Sequence, residues 1–185
     1  LKLLVTDESN FFWDPERRFP MIRPIKMWLL KLDQMAWGAQ DATGFHVTGT
    51  LFFAAVAILL FLIADQLFPK RLELALLAGL LAAIHPVFSE IVPSITFREE
   101  TIVAAFGLAA FLFFLRYRNG KSGPVGFPIF FMLALFTKES GAFFLALPLT
   151  FDFIHVVFAS ERSAELRRRV GIYIPIACIA ALYAG

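Results

Sequence analysis

The 185 residues carry 59% hydrophobic side chains, 23 Phe and a mean hydropathy of +0.73, against roughly 45–50% apolar content in ordinary soluble domains. That excess excludes a water-soluble globular domain and points to an integral, polytopic α-helical membrane protein. The net charge of +2 is too small to argue for a nucleic-acid partner. A single cysteine, Cys178, allows neither an intrachain disulfide nor a Cys-based metal site. The chain starts without Met and stops inside an apolar run, the pattern expected of a piece of a longer protein.

In chain order, residues 1–44 mix charges, prolines and aromatics, and read as an exoplasmic loop with a short interfacial amphipathic helix near 25–37. Residues 45–185 read as a transmembrane helical domain, with about six spans near 45–68, 72–88, 101–118, 125–137, 142–158 and 170–185. Pro86 is placed to end or kink the second span. The 34 residues 125–158 are interrupted at Thr137–Gly141 and fit either one bent helix or two spans, and their length favours two.

Loop charge then sets sidedness. Lys70, Arg71, Arg116, Arg118, Lys121, Arg162, Arg167, Arg168 and Arg169 share one side, which the positive-inside rule makes cytoplasmic. The loops of the other side, 89–100 and 137–141, hold Arg98 and Lys138 with a set of carboxylates, and this polar cluster is expected to be exoplasmic.

Ionisable groups at membrane depth face a cavity or a partner, so His85, Glu90, Arg98, Glu100, Lys138 and Glu139 are weighed together. Lys138 and Glu139 read equally as a local ion pair or as part of a site. His85, beside Pro86, fits a hydrogen bond to a carbonyl freed by the kink. His46 fits an interfacial position or a cavity wall. Asp65 fits a solvated interface, and Asp152 can pair with His155 one turn on. Basic residues here suit an anionic headgroup, and a neighbouring carboxylate suits a general base.

At these residues the chain resembles the GT-C superfamily of membrane glycosyltransferases. It looks closest to bacterial relatives of the transmembrane-and-tetratricopeptide O-mannosyltransferases. The resemblance rests on IRPIKMWLLKLDQMAWGAQDATGFHVT, HPVFSEIVPSITFREETIVAAF and FTKESGAFFLALPLTFD, in the family's order over about residues 20–155. It implies a GT-C-like helical bundle, multi-pass in the cell membrane, that moves a sugar from a polyprenyl-phosphate-linked donor to an acceptor at the exoplasmic face. It implies Arg23, His85, Arg98, Lys138 and Glu139 around the lipid phosphate. The acidic candidates for catalysis are Glu90, Glu100 and the first-loop residues Asp7 and Glu8. The expected partners are the lipid bilayer and the polyprenyl-phosphate sugar, with room for a divalent metal ion and for other membrane subunits. No metal-ligating residue is assigned.

The chain departs from the family pattern at Gly49, Phe53 and Phe88, which stand where the pattern has Asn, His and His. These replacements motivate a second reading, a non-catalytic GT-C-derived subunit packed in a larger membrane complex.

Overall fold

The computed structural model describes residues 23–38, 42–85, 98–158 and Tyr173. They form α1 (Pro24–Trp37), α2 (Ala42–Leu67), α3 (Leu72–Ile84), α4 (Arg98–Arg118), α5 (Gly126–Thr137), a 3-10 helix (Glu139–Leu145) and α6 (Ala146–Phe158). The all-helical expectation therefore holds among the described residues. The short helix expected near 25–37 is α1, and Pro24 opens it at the first helical position, where a missing N–H costs nothing.

Two helices, α2 and α4, are long and apolar enough to cross a membrane. At 1.5 Å per residue they run about 39 and 31 Å, against a hydrocarbon core of about 30 Å. The apolar helices α3 and α5 have 13 and 12 residues and are shorter than a full crossing. The expected span 170–185 apart from Tyr173, the loop 89–97 and the basic linker 159–169 lie outside the described residues.

α4 is the central helix, packed against α2, α5, the 3-10 helix and α6. Its Phe111, Phe114 and Leu115 join Ile63 of α2 and Phe127, Phe131 and Leu135 of α5 in the main buried cluster. The Phe114 ring meets Phe127 edge-on at 5.5 Å and Phe151 at 5.9 Å, arrangements that add to simple area burial. Much of the sequence's Phe content is thus helix-to-helix packing. On α3, by contrast, Leu74, Leu77, Leu80, Leu81 and Ile84 are exposed, a surface suited to lipid and not to water.

The termini of α4 explain its orientation of charge. Glu99 and Glu100 fall in its first turn and Arg116 and Arg118 in its last, each sign opposing the helix dipole. The helix closes with a Schellman pattern, Lys121 N–H to Arg116 O and Gly120 N–H to Tyr117 O. Gly120 supplies the positive φ of 69° that this closure demands.

The interruption in 125–158 resolves into an outward and a return leg along α4. Lys138, at the end of α5, pairs with Glu100 at the start of α4, whereas Asp152 of α6 lies 3.3 Å from Arg118 at its end. Lys138 itself is extended, with φ −162° and ψ 152°, and ends α5. Gly141 then lets the 3-10 helix fold back against α5, because a Cβ there would stand 2.5 Å from the Ala134 backbone.

Backbone cannot yield as a flexible side chain can. Gly141→Ala is expected to lower stability by about 1–3 kcal/mol, whereas Gly123→Ala, which meets nothing within 4 Å, should change it by less than about 0.5 kcal/mol. Thermal denaturation of both variants in the same detergent checks the contrast.

Candidate functional site

Three separate stretches bring charge to the N-terminal end of α4. The innermost pair joins Arg98, the first residue of α4, to Asp33 of α1 across 65 positions of sequence. Both residues are buried, at 7% and 5% exposure, so their charges survive there only as a pair. Thr48 of α2 donates to the other Asp33 oxygen at 2.8 Å. The Arg98 guanidinium also stands 5.7 Å from the centre of the Phe45 ring, within cation–π range.

Outward from that pair, Arg23 forks onto Glu139, Nε to Oε1 at 3.1 Å and Nη2 to Oε2 at 2.9 Å. This is the bidentate geometry that lysine cannot reproduce. Lys138 donates to Glu100 and lies 3.6 Å from Glu99. Glu99 also receives Lys26 at 2.7 Å and Arg23 at 3.5 Å. Neighbouring Lys138 and Glu139 thus pair with different elements, not with each other as a local ion pair.

These partners shift the two groups in opposite directions. The hydrogen bond from Lys138 to Glu100 holds its ammonium above the usual 10.5, against the opposing effect of burial. Burial pushes Glu139 up, but the Arg23 hydrogen bond and nearby positive charge outweigh it and leave the carboxyl below the usual 4.5.

Five of the expected site residues, Arg23, Arg98, Glu100, Lys138 and Glu139, therefore come together. His85 is an exposed cap at the C-terminal end of α3. Asp7, Glu8 and Glu90 lie outside the described residues. Sequence reasoning passed over Asp33, Lys26 and Glu99. The available signal was on α1 itself: Arg23, Lys26 and Asp33 recur at helical spacing, a charged stripe on a segment whose other residues are mostly apolar apart from Lys31 and Gln34.

The far end of α4 holds a second, smaller polar group. Asp152 pairs with Arg118 and accepts from Tyr173 Oη at 2.9 Å. This corrects the expected Asp152–His155 pairing, since the His155 ring nitrogen lies instead 2.9 Å from Phe151 O, one turn back. A tertiary cation at the end of α4 outcompetes a neighbour on the same helix. Nearby, Lys121 donates to Gln66 of α2 at 3.1 Å. Among the described residues, no three His, Cys, Asp or Glu side chains are grouped as a metal-ligand set.

The described residues thus form an apolar helical bundle with a many-membered ionic cluster at one end of α4. Comparison with known proteins finds relatives that are protein O-mannosyl-transferases. The chain is 28% identical to protein O-mannosyl-transferase TMTC3 of Mus musculus over 142 residues, covering 72% of this chain and 15% of that protein. It is 28% identical to TMTC4 of Homo sapiens over 153 residues, covering 71% and 21%. It is 30% identical to the O-mannosyl-transferase F38B6.6 of Caenorhabditis elegans over 119 residues, covering 59% and 17%. The chain thus spans about a fifth or less of the length of these relatives. No family model and no solved structure matches it.

Removing one member of the Arg98–Asp33 pair strands a buried charge. Arg98→Met or Asp33→Asn alone is expected to cost about 3–5 kcal/mol and the double replacement clearly less than the sum, read from a double-mutant cycle of thermal stability. Because the Glu139 carboxyl is lowered in the folded state, its stabilisation is complete above pH 4.5 and is lost as pH falls further and the carboxyl takes up a proton. The raised Lys138 acts in the opposite sense, its contribution complete below pH 10.5 and lost as pH rises through the folded value. Melting temperature against pH should fall at both extremes, and Arg23→Met should flatten the acid limb.

Proposed function

We propose that this chain forms part of a membrane glycosyltransferase that moves a sugar from a polyprenyl-phosphate-linked donor to an acceptor hydroxyl at the exoplasmic face. The observation that carries the reading is the convergence of Arg23, Arg98, Glu100, Lys138 and Glu139 from separate elements at one end of α4. The similarity to protein O-mannosyl-transferases supports the reaction class.

The sidedness has its own support. Lys121 and Asn119 reach Gln66, which sets the basic α2–α3 turn, with Lys70 and Arg71, beside the basic end of α4. An excess of Lys and Arg at that end suits the cytoplasm, which leaves the ionic cluster exoplasmic.

In this reading the cations hold the donor phosphate, and the sugar's anomeric carbon faces the acceptor. A carboxylate takes the acceptor hydroxyl proton as the new C–O bond forms. The bond from the anomeric carbon to the phosphate oxygen breaks, and the phosphate leaves with the electron pair. Cations fixed beforehand stabilise that developing charge without having to reorganise. Of the described carboxylates in the cluster, Glu100 is the most open, at 40% exposure, and is the candidate base here. Asp7, Glu8 and Glu90 are candidates for the same role.

The test is transfer by the natural full-length protein in liposomes, supplied with polyprenyl-phosphate mannose and a hydroxyl-bearing peptide. The account expects an inverted glycoside, and a loss of about 10²-fold or more in Lys138→Ala with helix content unchanged. A folded wild type that neither binds nor transfers the sugar would overturn the reading and favour a scaffold subunit.

A further inference from the structure

Glu99 stands apart from the other carboxylates of the cluster. Its side chain is 13% exposed, against 40% for Glu100 and 34% for Glu139. Among the carboxylates of the described cluster, it is the one that contacts all three of the outer cations, Lys26 at 2.7 Å, Arg23 at 3.5 Å and Lys138 at 3.6 Å. Its buried Oε2 accepts no hydrogen bond of good geometry among the described residues, so charge and not directional bonding holds it. Three cations arriving from α1 and from the α5 junction would repel one another without a shared anion between them. Lys26, at 37% exposure, is the most open of the three.

We infer that Glu99 is a positioning residue that gathers Lys26, Arg23 and Lys138 into a cradle for a phosphate ester, with Lys26 a further phosphate ligand. Glu100 and Glu139 act in this scheme as exchangeable counter-ions. The inference rests on the functional reading above and deepens it. As it stands, the three cations face three carboxylates and leave no charge for a ligand. When a phosphate arrives, the two rim carboxylates turn away from their cations, which their exposure permits, Glu139 toward solvent and Glu100 toward the acceptor hydroxyl, while buried Glu99 stays. Three cations against one carboxylate leave two positive charges. That balance suits a lipid phosphodiester of one negative charge, and it suits still better the monoester left after the sugar departs, which carries about −1.5 to −2 at neutral pH. The cluster is then neutral before the donor binds and matched to the leaving phosphate after reaction.

The scheme assigns opposite signs to carboxylates a few ångströms apart. With the natural full-length protein in neutral phosphatidylcholine nanodiscs, the affinity for farnesyl phosphate and for inorganic phosphate is measured by calorimetry. Each variant is first shown to keep wild-type helix content. Glu99→Gln and Lys26→Met should each weaken farnesyl phosphate by about tenfold, with Lys26→Arg restoring most of the loss. Glu100→Gln and Glu139→Gln should tighten it several-fold by removing competing counter-ions.

Tightening by Glu99→Gln would make Glu99 one more competitor and overturn its positioning role. An unchanged affinity in Lys26→Met would remove Lys26 as a ligand. Equal affinity for inorganic phosphate, with the same pattern across the variants, would overturn the lipid-linked ligand in favour of free phosphate. A folded wild type that binds neither probe would remove the functional reading together with this inference, whereas binding that ignores Lys26 and Glu99 removes the inference alone.

Discussion

The described part of the molecule depends on one buried ion pair, Arg98 with Asp33. Ions of this size lose several kcal/mol of solvation when buried, and mutual attraction repays that only when geometry is good and the remaining oxygens are satisfied. Here Thr48 satisfies the second Asp33 oxygen and Phe45 covers the guanidinium. The arrangement involves α1, α2 and α4 at once. It fixes α1 against the end of α4, and so determines where Arg23 and Lys26 point.

α1 consequently has a largely inverted pattern for a helix at a protein surface. Arg23, Lys26 and Asp33 face the bundle, while Trp28, Leu32 and Met35 are exposed together with Lys31. In water the apolar stripe would face inward. An outward stripe containing Trp fits the boundary between headgroups and acyl chains, so α1 is suited to separate the ionic cluster from surrounding lipid. The two ends of α4 divide the remaining polar chemistry. One carries the many-membered cluster and the other the Arg118–Asp152–Tyr173 group, about 30 Å apart along a 21-residue helix.

Much of the helix pattern was readable from apolar run length. The stretches 45–68, 101–118 and 125–137 correspond to Ala42–Leu67, Arg98–Arg118 and Gly126–Thr137. The sequence also marked the break at Lys138, although not that seven residues beyond it wind as a 3-10 helix. What periodicity could not supply was pairing. Glu99 and Glu100 are neighbours, yet one gathers three cations and the other chiefly one, a difference set by their position on the first turn of α4. Asp33 gave no sign of a partner 65 residues away. For Asp152, local spacing suggested His155, and only the return of α6 along α4 brings Arg118 within reach. Motif resemblance drew attention to Arg23, Arg98, Glu100, Lys138 and Glu139, whereas Lys26 and Glu99 lie in the same quoted runs without an assigned role, and their pairing emerges only from the packing.

The central claim is that the ionic cluster at the start of α4 is the place where the donor phosphate sits. The most direct measurement is an electron cryo-microscopy map of the natural full-length protein in lipid nanodiscs with a polyprenyl-phosphate sugar bound. The account predicts phosphate density within hydrogen-bond reach of Lys26, Arg23 or Lys138, with Glu139 or Glu100 turned away from its cation. Phosphate density at the Arg118–Asp152 end of α4, or an ionic cluster left intact with the donor bound elsewhere, would contradict it.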